Sequence, residues 1–144
     1  ASGVRLLREG KGVQVPKSGI VGWSYGAGMA LETAIGNPDI AAVVLYYGPV
    51  ILDKARLQGL AAPLLGIYAK RDAWITPQIA GDFRNALRST PAPVEFLEVD
   101  AAHMFANPAS GDYDAKGAQR ARQKALAFLR KNVFVVIAPP APAE

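Results

Sequence analysis

The chain has 144 residues, 51% hydrophobic and 19% charged, enough for one domain that buries about two thirds of its unfolded surface. With no cysteine and a single histidine, disulfides, thiolate zinc sites, a cysteine nucleophile and the common His/Cys metal sets are excluded. The net charge of +4 is mild, no apolar run nears the roughly 20 residues that span a bilayer, and the N-terminal stretch lacks a signal-peptide core, so a soluble, cytoplasmic protein is expected.

Val4 to Glu9 reads as the end of a helix, and a Gly/Pro connection follows through Lys17. Ser18-Gly19-Ile20-Val21 is short, apolar and β-branched, as a buried strand should be. Ala27 to Ile35 reads as a helix that stops at the breaker group Gly36-Asn37-Pro38. Between strand and helix lies Gly22-Trp23-Ser24-Tyr25-Gly26. A serine flanked by glycines at such a junction is a nucleophile elbow: the turn leaves little room for side chains, and the serine is pushed out where a base reaches it. Gly26 and Gly28 are expected to let the helix pack closely on the sheet.

Ile40 to Tyr47 is a near-continuous apolar strand ending at Gly48-Pro49, and residues 51–62 fit a short helix or a loop equally well. Leu64 to Ala69 is a third buried strand, ending at Lys70-Arg71-Asp72. Thr76 and Pro77 make an N-cap and first helical residue, with Ile79, Phe83, Ala86 and Leu87 as the apolar stripe. Val94 to Val99 is the fourth strand. A last helix from about Ala115 to Lys131 turns Ala118, Ala121, Ala125, Phe128 and Leu129 to the core. One domain over residues 1–132 is expected, then a tail, 133–144, with a strand-like run Val133 to Ile137 and a Pro-rich end. Alternating strands and helices predict an α/β fold, about four parallel strands flanked by helices. Arg120, Arg122, Lys124, Arg130 and Lys131 fall on what reads as a solvated helix face, so no nucleic-acid partner is expected, nor a membrane.

A serine hydroxyl needs a general base to take its proton and an acid to hold that base in the right tautomer. His103 is the one candidate base, in a loop that leaves a strand downstream of the elbow. The acid should lie between Ser24 and His103 in the chain. Asp72 fits best, because it follows a buried strand and sits at the sheet edge where ligands bind in open α/β folds. Asp53 lies in the undecided segment, Asp82 lies inside a helix, and Asp100 is too near His103 in the chain. The Tyr25 backbone N–H, at the start of the elbow helix, is the expected first donor to an oxyanion. Tyr47, Trp74, Met104 and Phe105 flank these loops as candidate walls of an acyl or aromatic pocket. A dinucleotide fingerprint is ruled out by Leu31, and no Walker-type sequence occurs.

With these residues placed, the chain resembles the dienelactone hydrolase family of α/β-hydrolases. The resemblance covers roughly residues 17 to 131 and rests on Gly22 to Gly28, Tyr46-Tyr47-Gly48, Lys70-Arg71-Asp72 with Ile75-Thr76-Pro77, and Ala102 to Phe105. It implies hydrolysis of an ester or lactone through an acyl-enzyme, with no metal or cofactor. Two positions depart from the family pattern. Ser24 stands where dienelactone hydrolases carry cysteine, and Asn107 stands where an arginine grips the substrate carboxylate. Both point to a small neutral ester as substrate. The family also carries strands upstream of the elbow, with the loop that gives a second oxyanion donor. This chain is expected to lack that N-terminal half, which makes the elbow strand an edge and predicts a homo-oligomer that covers it. Alternatives are a peptidase or deacetylase of the same fold, or a non-catalytic remnant serving as a binding or oligomerisation module.

Overall fold

Four parallel strands in the order β1-β2-β3-β4 organise the chain: β1 is Ser18–Trp23, β2 Ile40–Tyr46, β3 Leu64–Ala69 and β4 Val94–Val99. The structure, a computed structural model, describes residues 17–133 together with Gly3 and Leu6. Apart from Leu6, which is helical, the expected helix end at Val4 to Glu9 lies outside the described residues, as does the tail beyond Val133. Within residues 17–133 four α-helices flank the sheet, α1 Tyr25–Ala34, α2 Lys54–Leu57, α3 Pro77–Ala86 and α4 Ala115–Val133, and a 3-10 turn, Leu87–Ser89, follows α3. The segment left undecided by the sequence holds α2, whose first amides are capped by Asp53: its carboxylate accepts from Ala55 N at 2.9 Å and Arg56 N at 3.2 Å.

Strand order follows chain order, so crossovers of constant hand all land on the same face. There α1, α2 and α3 pack Ala30, Leu31, Leu57, Phe83 and Leu87 against Val43, Leu45, Leu64 and Tyr68. The other face, with Val44, Tyr46, Leu65 and Ile67, is covered by α4 through Ala121, Ala125 and Phe128. This division follows from the alternation of side chains along a strand. Val43 and Leu45 face one layer and Val44 and Tyr46 the other, which is why β2 reads as a continuous apolar run.

The helix stripes are shifted slightly from expectation. On α3 Ala80 is buried and Ile79 only partly, and on α4 Gly117 is buried and Ala118 only partly. Gly117 sits where a Cβ would meet Val99 Cγ1 at 2.7 Å, so the start of α4 lies directly on β4. α4 also runs on to Val133, two residues past its predicted end, with Leu129 and Val133 over Gly19 of β1.

The two outer strands differ. β4 carries Glu95 and Glu98, paired with Lys124 and Arg84, whereas β1 has no charged residue and forms the other end of the sheet among the described residues. Of the basic residues on α4, Lys124 and Lys131 are directed to Glu95. Among the described residues, no helix is long and apolar enough to cross a membrane, and no group of three or more His, Asp and Glu is placed to hold a metal ion.

Candidate active site

Each strand is followed, at the same end of the sheet, by one of the candidate residues: Ser24, Tyr47, Asp72 and His103. After β1, Ser24 adopts φ 48°, ψ −124°, a conformation that disfavours any side chain. The turn closes because Gly22 lacks a Cβ, which would lie 2.2 Å from Gly26 O. The close approach is therefore at Gly22 and at Gly48, whose Cβ would meet Ala27 Cβ at 2.2 Å. The expectation for Gly26 and Gly28 is corrected here: nothing lies within 4 Å of a Gly26 Cβ, and Gly28 makes an ordinary 3.5 Å contact with Pro49. Gly26 points into open space at the head of α1, so its small size keeps that space clear rather than packing the helix down.

Ser24 occupies the N-cap position of α1, where a serine hydroxyl normally accepts from the first-turn amides. Here it makes no such bond. Its Oγ lies instead 3.3 Å from His103 Nε2, at the long end for a hydrogen bond, as is usual before substrate tightens a site. On the other side of the ring, His103 Nδ1 donates to Asp72 Oδ2 at 2.7 Å. With that proton on Nδ1, Nε2 turns its lone pair to the serine.

Asp72 is held as firmly as it holds. Its side chain is fully buried, His103 is 14% exposed, and Oδ1 accepts from Trp74 N at 2.8 Å and Ile75 N at 2.9 Å. This is an Asx-type turn at the end of β3, the local conformation an aspartate favours when its own downstream amides need an acceptor. The loop carrying His103 is tied alongside by Lys70 N to Val99 O at 2.8 Å and Arg71 N to Ala101 O at 3.0 Å. The other candidate acids are engaged elsewhere: Asp53 caps α2, Asp82 accepts from Gln78, and Asp100 accepts from Arg71 at 3.0 Å.

The expected pocket walls divide. Trp74 is 76% exposed and lies flat against the imidazole, whereas Tyr47 meets it edge-on from the core at 5.1 Å. Desolvation raises the Tyr47 phenol above its ordinary pKa, with the Ala106 backbone pulling it back, so it stays neutral beside the ring. Phe105 is wholly buried and packs on Tyr47 at 5.3 Å. It supports the wall from behind instead of forming it, because the chain reverses at Met104 (φ 61°) and turns the next side chain inward. Met104 is partly exposed at that bend.

Two further aromatics had not been singled out. Trp23 stacks on Tyr46 at 5.2 Å, and with Ala106, Tyr113, Arg122 and Leu126 they line a groove of about 500 Å³ on the α4 side. Their signal in the sequence was adjacency: Trp23 precedes Ser24 and Tyr46 precedes Tyr47.

The chain matches the dienelactone hydrolase family over residues 2–133. It is 29% identical over 143 residues to a Yersinia pestis protein named "Putative carboxymethylenebutenolidase", a match covering 92% of this chain and 53% of that one. A Klebsiella pneumoniae crystal structure named as a putative dienelactone hydrolase superposes with a TM-score of 0.73 at 27% identity, covering 78% of this chain and 51% of the other. An esterase from Pyrococcus furiosus superposes with a TM-score of 0.74, covering 92% and 60%, and at 18% identity speaks for the fold alone. The chain thus spans about half the length of the curated relatives it matches. Matched across nearly its full length and built on the same layered α/β sheet, the chain belongs to the dienelactone hydrolase family.

Proposed function

We propose that the protein hydrolyses small carboxylic esters or lactones through an acyl-enzyme, with Ser24 as nucleophile, His103 as base and Asp72 as the orienting acid. One observation carries the reading: an unbroken relay, 3.3 Å from Ser24 Oγ to His103 Nε2 and 2.7 Å from Nδ1 to Asp72 Oδ2. The names of the family and its relatives favour the same substrate class.

In this reading Nε2 takes the hydroxyl proton as Ser24 Oγ bonds to the carbonyl carbon, and the carbonyl oxygen becomes an oxyanion. Tyr25 opens α1, where backbone N–H groups have no partner inside the helix, and its amide is assigned to that oxyanion. The imidazolium returns its proton to the departing alkoxide, leaving the acyl-serine. Water, deprotonated by the same nitrogen, then attacks the acyl carbon, and the acid leaves as Ser24 regains its proton. No cofactor is needed. A neutral substrate is favoured because Asn107 stands where the family resemblance implies an arginine, and its side-chain oxygen accepts from Ala109 N at 3.0 Å, closing a local turn.

The test is turnover of p-nitrophenyl acetate and butyrate by the protein beside its Ser24→Ala variant. Loss of about a thousandfold or more in kcat is expected. Equal rates from the two proteins would eliminate the esterase and leave the binding-module reading.

A further inference from the structure

We propose that Trp74 is a positioning residue for His103, its indole face stabilising the imidazolium that forms only while the acyl group is being transferred. The two rings lie 5.5 Å apart between centroids and 17° from parallel. Trp74 is nonetheless 76% exposed, so burial does not explain why a large aromatic side chain is held there. Its backbone is fixed by the carboxylate that fixes the imidazole: Asp72 receives Trp74 N on one oxygen and His103 Nδ1 on the other. Indole and imidazole therefore share one anchor, which sets their register.

The proposal rests on the triad reading above and adds a charge argument to it. A cation is drawn to the face of an indole, whereas a neutral imidazole gains only stacking. His103 is neutral before Ser24 gives up its proton and positive afterwards, so the contact strengthens along the reaction coordinate and acts on kcat. The ionisable groups facing the ring are Asp72 at 2.7 Å and the Tyr47 phenol. The neighbouring Arg71–Asp100 pair is mostly exposed and closed on itself.

The experiment compares Trp74→Leu and Trp74→Phe with the parent on p-nitrophenyl acetate, and records the imidazole C–H proton resonances of each. His103 is the sole histidine, so these resonances need no assignment. Trp74→Leu should lower kcat about two- to fivefold, the rate equivalent of one exposed cation–π contact, with KM unchanged. Trp74→Phe should recover most of that loss, and the imidazole resonances should move downfield in the leucine variant as the indole ring current is removed. A raised KM with intact kcat would make Trp74 a substrate wall and overturn the proposal. Unmoved resonances, or leucine performing as well as phenylalanine, would also overturn it. Failure of the triad reading shows separately, as absence of Ser24-dependent turnover in the parent.

Discussion

Asp72 and Tyr68 are both buried polar side chains, one at the rim of the sheet and one in its middle. Asp72 has each oxygen occupied, two backbone amides on one and the imidazole on the other. The Tyr68 side chain packs among Phe83, Phe96 and Gly66, and its buried hydroxyl has no hydrogen-bond partner among the described residues. Backbone strain divides the same way. Among the described residues, the non-glycine positions with positive φ, Ser24, Tyr47 and Met104, all lie at the rim, following β1, β2 and the turn after β4. Side-chain polar satisfaction and backbone strain thus coincide where the chemistry is proposed, while the Tyr68 side chain is held by apolar packing.

Removing a functional group from each region should therefore act oppositely. Asp72→Asn keeps an oxygen for the Trp74 and Ile75 amides but presents the wrong partner to Nδ1. Ester turnover is expected to fall on the order of 10⁴-fold while thermal unfolding shifts little. An unchanged kcat would show that Asp72 serves the turn and not the imidazole. Tyr68→Phe deletes an oxygen that gains nothing in the folded state, and unmet burial of such a group costs about 1–3 kcal/mol. Chemical denaturation should show equal or higher stability, with esterase activity per molecule unaltered, and a clear loss of stability would reveal a partner for that hydroxyl.

A smaller effect lies at alkaline pH. Burial raises the Tyr46 phenol from 10.0 to about 12, with Tyr47 adding to the rise and Arg122 opposing it, and burial raises Tyr68 further. Below pH 10 both phenols are neutral whether folded or not. Above it the unfolded chain ionises first, so their contribution to stability drains away as pH climbs toward 12. The decline should be shallower in Tyr68→Phe.

Much of this was legible in the sequence because each element carried its own punctuation. Thr76 accepts from Ile79 N at 3.3 Å and Pro77 opens α3, both as read. The bounds of β3 and β4 also matched, since a Gly- or Pro-marked loop sits beside each apolar run. The juxtaposition of Ser24, Asp72 and His103 was readable because each follows a strand, and parallel strands bring such positions to one rim. What escaped was what depends on contact across elements. Whether Gly26 or Gly48 needs to be small is decided by how α1 meets the loop after β2, and Phe105 turns inward because of a backbone reversal that no periodicity announces. The stacking of Trp74 on the imidazole is likewise set by the Asp72 turn, a tertiary arrangement.

The uncharged outer flank of β1 has a consequence for how the protein behaves in bulk. Its backbone N–H and C=O groups on that side have no strand beside them among the described residues, and β1 itself carries no lysine or glutamate. We propose that a second copy does so, the two β1 strands meeting antiparallel about a two-fold axis to give one continuous eight-stranded sheet. Folding then acquires a bimolecular component, and the melting temperature rises with protein concentration, by mass action. A transition that stays put over about a hundredfold range of concentration would mean the flank is finished by something other than its own kind.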